Sequence, residues 1–288
     1  DDARRRSRSA PRPGRVRPGM TGPADRAAAL LGATLRRTER LAGGDLSAVL
    51  RIVTSDGRRA IAKAGATARA EAEMLAAIAG RGVPAPQVLA VADDLLVMED
   101  LGRTEGAGAA WGDLGRILRR LHAPPGPDYG WHRDHAFGPV PIPNAPAGDW
   151  PAFWAERRLA PSLPHLPLPL ARRVEALCAR LPDLLPRHPP AALLHGDLWV
   201  GNVMARSGRV TGLIDPACYH GDAEVDLAML ALFGRPGAAF DAGYGPRAPG
   251  HAGRRPVYQL WPALVHLRLF GAGYLSMVES CLAAADRT

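Results

Sequence analysis

Leu193-Leu-His195-Gly-Asp197-Leu-Trp199-Val-Gly-Asn202 is the stretch that decides how this chain is read. An apolar run, Leu193–His195, reads as a short buried strand delivering a turn that holds an Asp and, five residues on, an Asn. Thirteen residues after Asn202, a second apolar run, Val210-Thr-Gly-Leu-Ile-Asp215, ends on another Asp. Two strand-ending turns a short hairpin apart can bring all three side chains around one metal ion. Phosphoryl transfer needs such a set: a carboxylate (Asp197) to orient the attacking hydroxyl and take its proton, and an amide oxygen and second carboxylate (Asn202, Asp215) to hold Mg2+ against the phosphates of ATP. The order matches a kinase catalytic loop with His-Gly-Asp in place of His-Arg-Asp.

Upstream, the pattern supplies the rest of a nucleotide site. Ala48–Thr54 and Arg59–Ala64 read as strands around Ser55-Asp56-Gly57, a hairpin turn. The second strand carries Lys63. All other Lys and Arg positions are Arg, and Arg cannot reproduce the compact ammonium of Lys. A helix from a Thr67 cap to about Ala79 puts Met74, Leu75 and Ile78 on one face. It offers Glu71 as the ion-pair partner of Lys63 and points Glu73 elsewhere. Gly43-Gly44-Asp45-Leu46-Ser47 would cover the phosphates with backbone N–H groups, with Gly43, Gly44 and Ser47 as contacts. Met98-Glu99-Asp100-Leu101 would form the hinge, with Met98, Glu99 and Leu101 receiving adenine.

Elsewhere, residues 22–40 read as a helical entry with Leu30, Leu31 and Leu35 at helical spacing, and 88–91 and 95–98 read as strands. Trp111–His122 is an amphipathic helix. Residues 123–148, rich in Pro and Gly, form a long ordered loop or lid. Helices are expected over 149–159 (capped by Asp149), 169–181, 222–233 and 257–284, and a strand over 210–214. The expected class is therefore α+β and two-lobed. Residues 1–21 are a basic tail, 22–102 a smaller lobe with an antiparallel sheet plus helix, and 103–288 a larger, mainly helical lobe.

Of the net charge of +8, five units come from seven arginines against Asp1 and Asp2 in the first 20 residues, so the basic excess is mostly tail. Its composition predicts disorder rather than a nucleic-acid surface. Met20 stands where the ordered pattern begins, so residues 1–19 are expected to lie upstream of the natural start. No run of 18 apolar residues appears, which speaks against a membrane span. Cys178, Cys218 and Cys281 are odd in number and lack metal-type spacing, which fits a reducing, cytoplasmic setting.

The parts together resemble the protein-kinase-like superfamily, including aminoglycoside and choline kinases. His195-Gly-Asp-Leu-Trp-Val-Gly-Asn202 and Ile214-Asp-Pro-Ala217 running on to Gly221-Asp-Ala-Glu224-Val-Asp226-Leu-Ala-Met229 resemble the fructosamine/ketosamine-3-kinase family. So do Asp149-Trp-Pro-Ala-Phe153, Glu156-Arg-Arg-Leu159, Tyr258-Gln-Leu-Trp-Pro-Ala-Leu-Val-His266 and Leu269-Phe-Gly-Ala-Gly-Tyr274. The resemblance spans about residues 22–284. It implies ATP-dependent phosphorylation of the third-carbon hydroxyl of a free or protein-bound ketosamine, giving an unstable phosphate that frees the amine. It implies Asp197 as base, Asn202 and Asp215 as metal ligands, and Lys63 with Glu71 as the phosphate-positioning pair. Trp199 and His195 would stand on the acceptor side, and Glu224 and Asp226 would bind substrate or, more in keeping with buried carboxylates, brace the catalytic loop. Family members often show a His near Asp222, a Gln near Ile142 and in some cases a Cys at Asp45, all departed from here. The residues also leave open another small-molecule kinase, a catalytically silent nucleotide-binding scaffold, and a nucleic-acid binder acting through the Arg tail.

Overall fold

A computed structural model describes residues 22–41 and 48–288. The basic tail and the Gly43-Gly44…Ser47 turn lie outside the described residues. The chain begins with α1 (Pro23–Leu30), then β1 (Leu35–Arg40), β2 (Ala48–Thr54), β3 (Arg59–Ala64), α2 (Ala68–Gly80), β4 (Val88–Ala92) and β5 (Leu95–Glu99). The strands form one antiparallel sheet in the order β1-β2-β3-β5-β4. Alternation along the strands divides its side chains. Ala60, Ala62, Leu95 and Val97 face α1 with Ile52, while Ile61, Leu96 and Met98 face Ala72 and Leu75 of α2.

The helical lobe follows: α3 (Trp111–His122), β6 (His135–Phe137), β7 (Val140–Ile142), α4 (Trp150–Phe153) continued by a wide turn over Trp154–Leu159, and α5 (Leu168–Leu184). Then come β8 (Ala192–Leu194), β9 (Val203–Arg206), β10 (Arg209–Leu213), β11 (Tyr219–Gly221), α6 (Glu224–Phe233), α7 (Ala238–Tyr244), α8 (His251–Phe270) and α9 (Leu275–Ala285). Its core is aromatic, with Trp150, Phe153, Trp154, Tyr258 and Trp261 among the buried residues. A separate apolar cluster joins the lobes: Met74, Ile78 and Val83 pack with Leu114, Leu118, Leu193 and Leu198. Each such side chain, once buried, contributes about 1.5–3 kcal/mol. This fixes α2, and with it Glu71, relative to the turn after β8.

Several expectations need correction. Leu35 opens a strand, not a third helical turn. Gly32 at φ 71° ends α1, and β1 is an edge strand whose Arg and Glu side chains are exposed, leaving no alternation to read. The 123–148 segment contains the β6–β7 hairpin, turned at Gly138 (φ 53°); three-residue strands containing Pro141 fall below any periodicity window. The expected C-terminal helix is two, broken at Gly271 (φ 80°). The Asp149 cap is present, with Oδ1 accepting from Ala152 N at 2.9 Å, but the regular α turn lasts only to Phe153. β11 and α7 carried no sequence signal strong enough to name them.

Candidate active site

The two acidic turns meet because their backbones interlock. Ala217 N donates to His195 O (2.8 Å) and Ile214 N to Asn202 O (3.0 Å). Gly196 has φ 82°, and a Cβ there would lie 2.0 Å from Ala217 O, so only glycine fits between the turns. His195 is fully buried. Its Nε2 donates to Ile214 O (3.0 Å) and its Nδ1 faces Asp197 N (3.4 Å), and burial pushes its pKa down. A neutral imidazole thus ties one turn to the other. This corrects the placement of His195 on the acceptor side.

Asp226, on α6, braces the loop from behind. Its Oδ2 accepts from His195 N (2.7 Å) and its Oδ1 from Gly196 N (3.0 Å). Oδ2 also lies 3.1 Å from Nε2 of His122, whose Nδ1 is 2.9 Å from the Tyr244 hydroxyl. Burial alone would raise this carboxyl, but His122, His195 and the Gly196 N–H outweigh it and hold it below the usual range. His122 was missed as a site residue; it read only as the last residue of a helix. Glu224 makes no bracing bond to the loop among the described residues. It forms a two-pronged pair with Arg254 (2.9 and 2.6 Å) facing a different hollow, between α6, α7 and α8.

In front of these turns is a cavity of about 590 Å3 lined by Lys63, Glu71, Asp197, Trp199, Asn202 and Asp215 among others. Lys63 Nζ lies 2.9 Å from Glu71 Oε1 and 2.9 Å from Asp215 Oδ1. Burial works against the ammonium, but the two carboxylates outweigh it and raise its pKa. Glu73, as expected, points away, toward His132 and Arg133 (3.1 Å each). Asp215 adopts φ 54°, a left-handed backbone that a non-glycine residue holds only against a cost of about 1–2 kcal/mol. Asn202 Nδ2 donates to Asp197 O (2.8 Å) and Oδ2 (3.1 Å). Burial, with Asp215 and Asp226 adding to it against the Asn202 hydrogen bond, pushes the Asp197 carboxyl up to about 7.

Asn202 Oδ1 and Asp215 Oδ2 have no hydrogen-bond partner among the described residues, and both residues line this cavity. Such a set suits a hard divalent cation. Among the described residues no group of three or more His, Cys, Asp or Glu could hold a metal alone. The far side of the cavity is aromatic. Trp199 (39% exposed) meets Phe233 edge-on at 6.4 Å, and Phe233 meets His266 at 4.9 Å. Met98, Glu99 and Leu101 do not line this cavity. Glu99 N donates to Gln87 O (2.9 Å). The hinge is tied to the sheet by Arg51 and Arg59, each 2.9 Å from Asp100.

A family model described as fructosamine kinase matches residues 26–286. The chain is 37% identical to a Thermus thermophilus protein named "Probable ketoamine kinase" over 252 residues, 85% of this chain and 92% of that one. It is 38% identical to a Synechocystis protein of the same name over 199 residues, 65% and 66% of the two chains. The crystal structure of a candidate fructosamine-3-kinase from Thermobifida fusca superposes with a TM-score of 0.85 at 34% identity, covering 94% of this chain and all of that one. The two-lobed, kinase-like fold expected from the sequence is thereby met.

Proposed function

The chain belongs to the fructosamine kinase family, and from that premise we propose that it transfers the γ-phosphoryl group of ATP to the third-carbon hydroxyl of a ketosamine. As a member of a kinase family it is an ATP-using phosphotransferase; the acceptor, the Mg2+ and the residue roles are our reading. The observation that carries it is the meeting of Lys63, Glu71 and Asp215 through 2.9 Å contacts in a cavity that Asp197 and Asn202 also line.

In this reading Lys63, held by Glu71, binds the phosphates. Asn202 and Asp215 would hold Mg2+, which when bound screens phosphate charge. The acceptor hydroxyl lies against Asp197. Its oxygen forms the new bond to Pγ as the bond from Pγ to the β-bridging oxygen breaks, ADP leaves, and the proton passes to the Asp197 carboxylate. A base near neutrality is suited to that transfer. Trp199 flanks the sugar. We assign residues 22–102 to the nucleotide-binding lobe and 103–288 to the lobe carrying the catalytic loop and acceptor. No described helix is long and apolar enough to cross a membrane, and the three cysteines are free; both support a cytoplasmic setting.

The test is ATP consumption with ribulosyl-lysine and fructosyl-lysine measured side by side, with an aminoglycoside as control. Turnover of at least one ketosamine above the acceptor-free rate is expected. Turnover of the aminoglycoside alone would overturn the acceptor, and no transfer to anything would overturn the kinase reading.

A further inference from the structure

We propose that His135 is a specificity-determining residue whose imidazole hydrogen-bonds a hydroxyl of the bound sugar, other than the reacting one. The inference rests on the ketosamine reading above. It starts from the β6–β7 hairpin, whose first strand (His135, Ala136, Phe137) and turn residue Gly138 line the same cavity as Lys63 and Asp197. Several other polar side chains there are engaged: Lys63 with two carboxylates, Asn202 through its amide nitrogen with Asp197, His266 through Nδ1 with Pro262 O (2.8 Å) and Tyr258 with Asp222 (2.7 Å). Neither nitrogen of His135 has a partner among the described residues, and Nδ1 is wholly shielded.

A shielded, unpartnered ring nitrogen costs about 1–3 kcal/mol, less as a bare lone pair than as an N–H. The proton therefore sits on Nε2, the nitrogen left to the cavity. Burial, aided by the Lys63 charge, keeps the ring neutral by pushing its pKa down to about 4. A neutral N–H matches a neutral hydroxyl; the phosphates already have an ammonium. The geometry also favours the sugar side. Phe137 packs on Trp261 of α8 (centroids 6.3 Å apart), and Pro262, Val265 and His266 of that helix continue into the aromatic half of the cavity. The hairpin base is fixed: Asn144 N donates to Asp134 Oδ1 (2.7 Å) and Asn144 Nδ2 to Arg133 O (3.1 Å), while Arg158 donates to Asn144 Oδ1 (2.8 Å) and Pro143 O (2.6 Å). The imidazole is thus delivered to one place rather than swinging on a free loop.

The experiment compares steady-state kinetics of wild type, His135→Phe and His135→Asn on fructosyl-lysine and on its single-deoxy analogues at each non-reacting hydroxyl. For His135→Phe we expect the acceptor KM to rise about 3- to 10-fold, the loss of one neutral hydrogen bond, with ATP KM unchanged. His135→Asn, which retains a donor, should recover part of the loss. With one deoxy analogue the difference between wild type and His135→Phe should vanish, because its partner is already gone. An unchanged acceptor KM overturns the proposal. So does a parallel rise in ATP KM, which would put His135 on the nucleotide, or a difference that persists with every analogue, which would make it packing. If His135→Phe does not fold, the same three readings are taken on His135→Asn. A wild type that phosphorylates no ketosamine fails at the earlier step and takes this inference with it; a wild type that does, with indifferent His135 variants, sinks this inference alone.

Discussion

Two polar assemblies line the cavity, and they are held by opposite means. The acidic turns, 195–202 and 213–217, are braced by buried hydrogen bonds from elements directly behind them, above all Asp226. The 132–144 segment is held at its base by one fully buried cation, Arg158, and toward α2 by an exposed pair through Glu73. The first is a dry scaffold in which each deletion orphans a group. The second grades from a buried anchor to a solvated tether. Phosphoryl chemistry tolerates little positional error, whereas the hairpin can be adjusted through weak surface contacts.

The largest effect should come from the front of the first assembly. Asp197→Asn should lower kcat by roughly 10²–10⁴-fold while leaving ATP binding near wild type, since the acceptor loses its proton acceptor and the phosphate wall is untouched. Full activity in rapid-mix assays of this variant would remove Asp197 from the mechanism. Next comes the brace. Asp226→Ala leaves the His195 and Gly196 N–H groups buried without partners, a loss of about 2–4 kcal/mol, and kcat should fall with it. The sign of the pH dependence follows from the depressed carboxyl. Its contribution is complete above the ordinary Asp value of about 4 and is lost as pH falls through the lower folded value. Urea titrations should therefore show wild type and Asp226→Ala far apart at neutral pH and converging below about pH 4. A constant gap would mean that the carboxylate charge is not what the brace uses.

That brace was half legible in the sequence, and the reason is separation along the chain. Asp197, Asn202 and Asp215 are readable because short apolar strands fix their order and spacing, and Lys63 because it is the chain's one lysine. Glu71 follows from one turn of helix. Met74, Leu75 and Ile78 are all buried, as their helical spacing demands. His122 meets its carboxylate 104 residues later, and nothing local marks it. His135 lies in a three-residue strand among prolines and glycines, where neither period 2 nor period 3.6 can register. His195 and Glu224 were tied to the site by motif position alone, and only packing shows that one is buried behind it and the other paired to Arg254.

The anchor of the second assembly is Arg158, whose guanidinium lies 3.9 Å from the Tyr219 ring centroid and also over Phe153 and Trp261. Burial lowers its pKa; its charge is met by carbonyls and rings rather than by a salt-bridged carboxylate. Arg158→Met keeps much of the volume but leaves Pro143 O and Asn144 Oδ1 unmet. Thermal unfolding should show a loss of about 1–3 kcal/mol, with acceptor KM raised more than ATP KM. Equal effects on the two substrates would mean that Arg158 supports the whole lobe rather than the hairpin.

The smallest effect belongs to Glu73→Gln. Glu73 is 40% exposed, and its partners His132 and Arg133 are 59% and 46% exposed, each 3.1 Å away. Exposed pairs of this kind contribute about 0–1 kcal/mol and weaken with salt. Glu73 sits two residues from Glu71 on α2, so the tether links the hairpin to the helix that positions Lys63. If that link matters, Glu73→Gln should leave Tm nearly unchanged yet raise acceptor KM up to about twofold at low ionic strength, with the difference erased at high salt. A salt-independent change would have to come from the fold of α2 rather than from the tether. No change at any ionic strength would leave the hairpin resting on its Arg158 anchor alone.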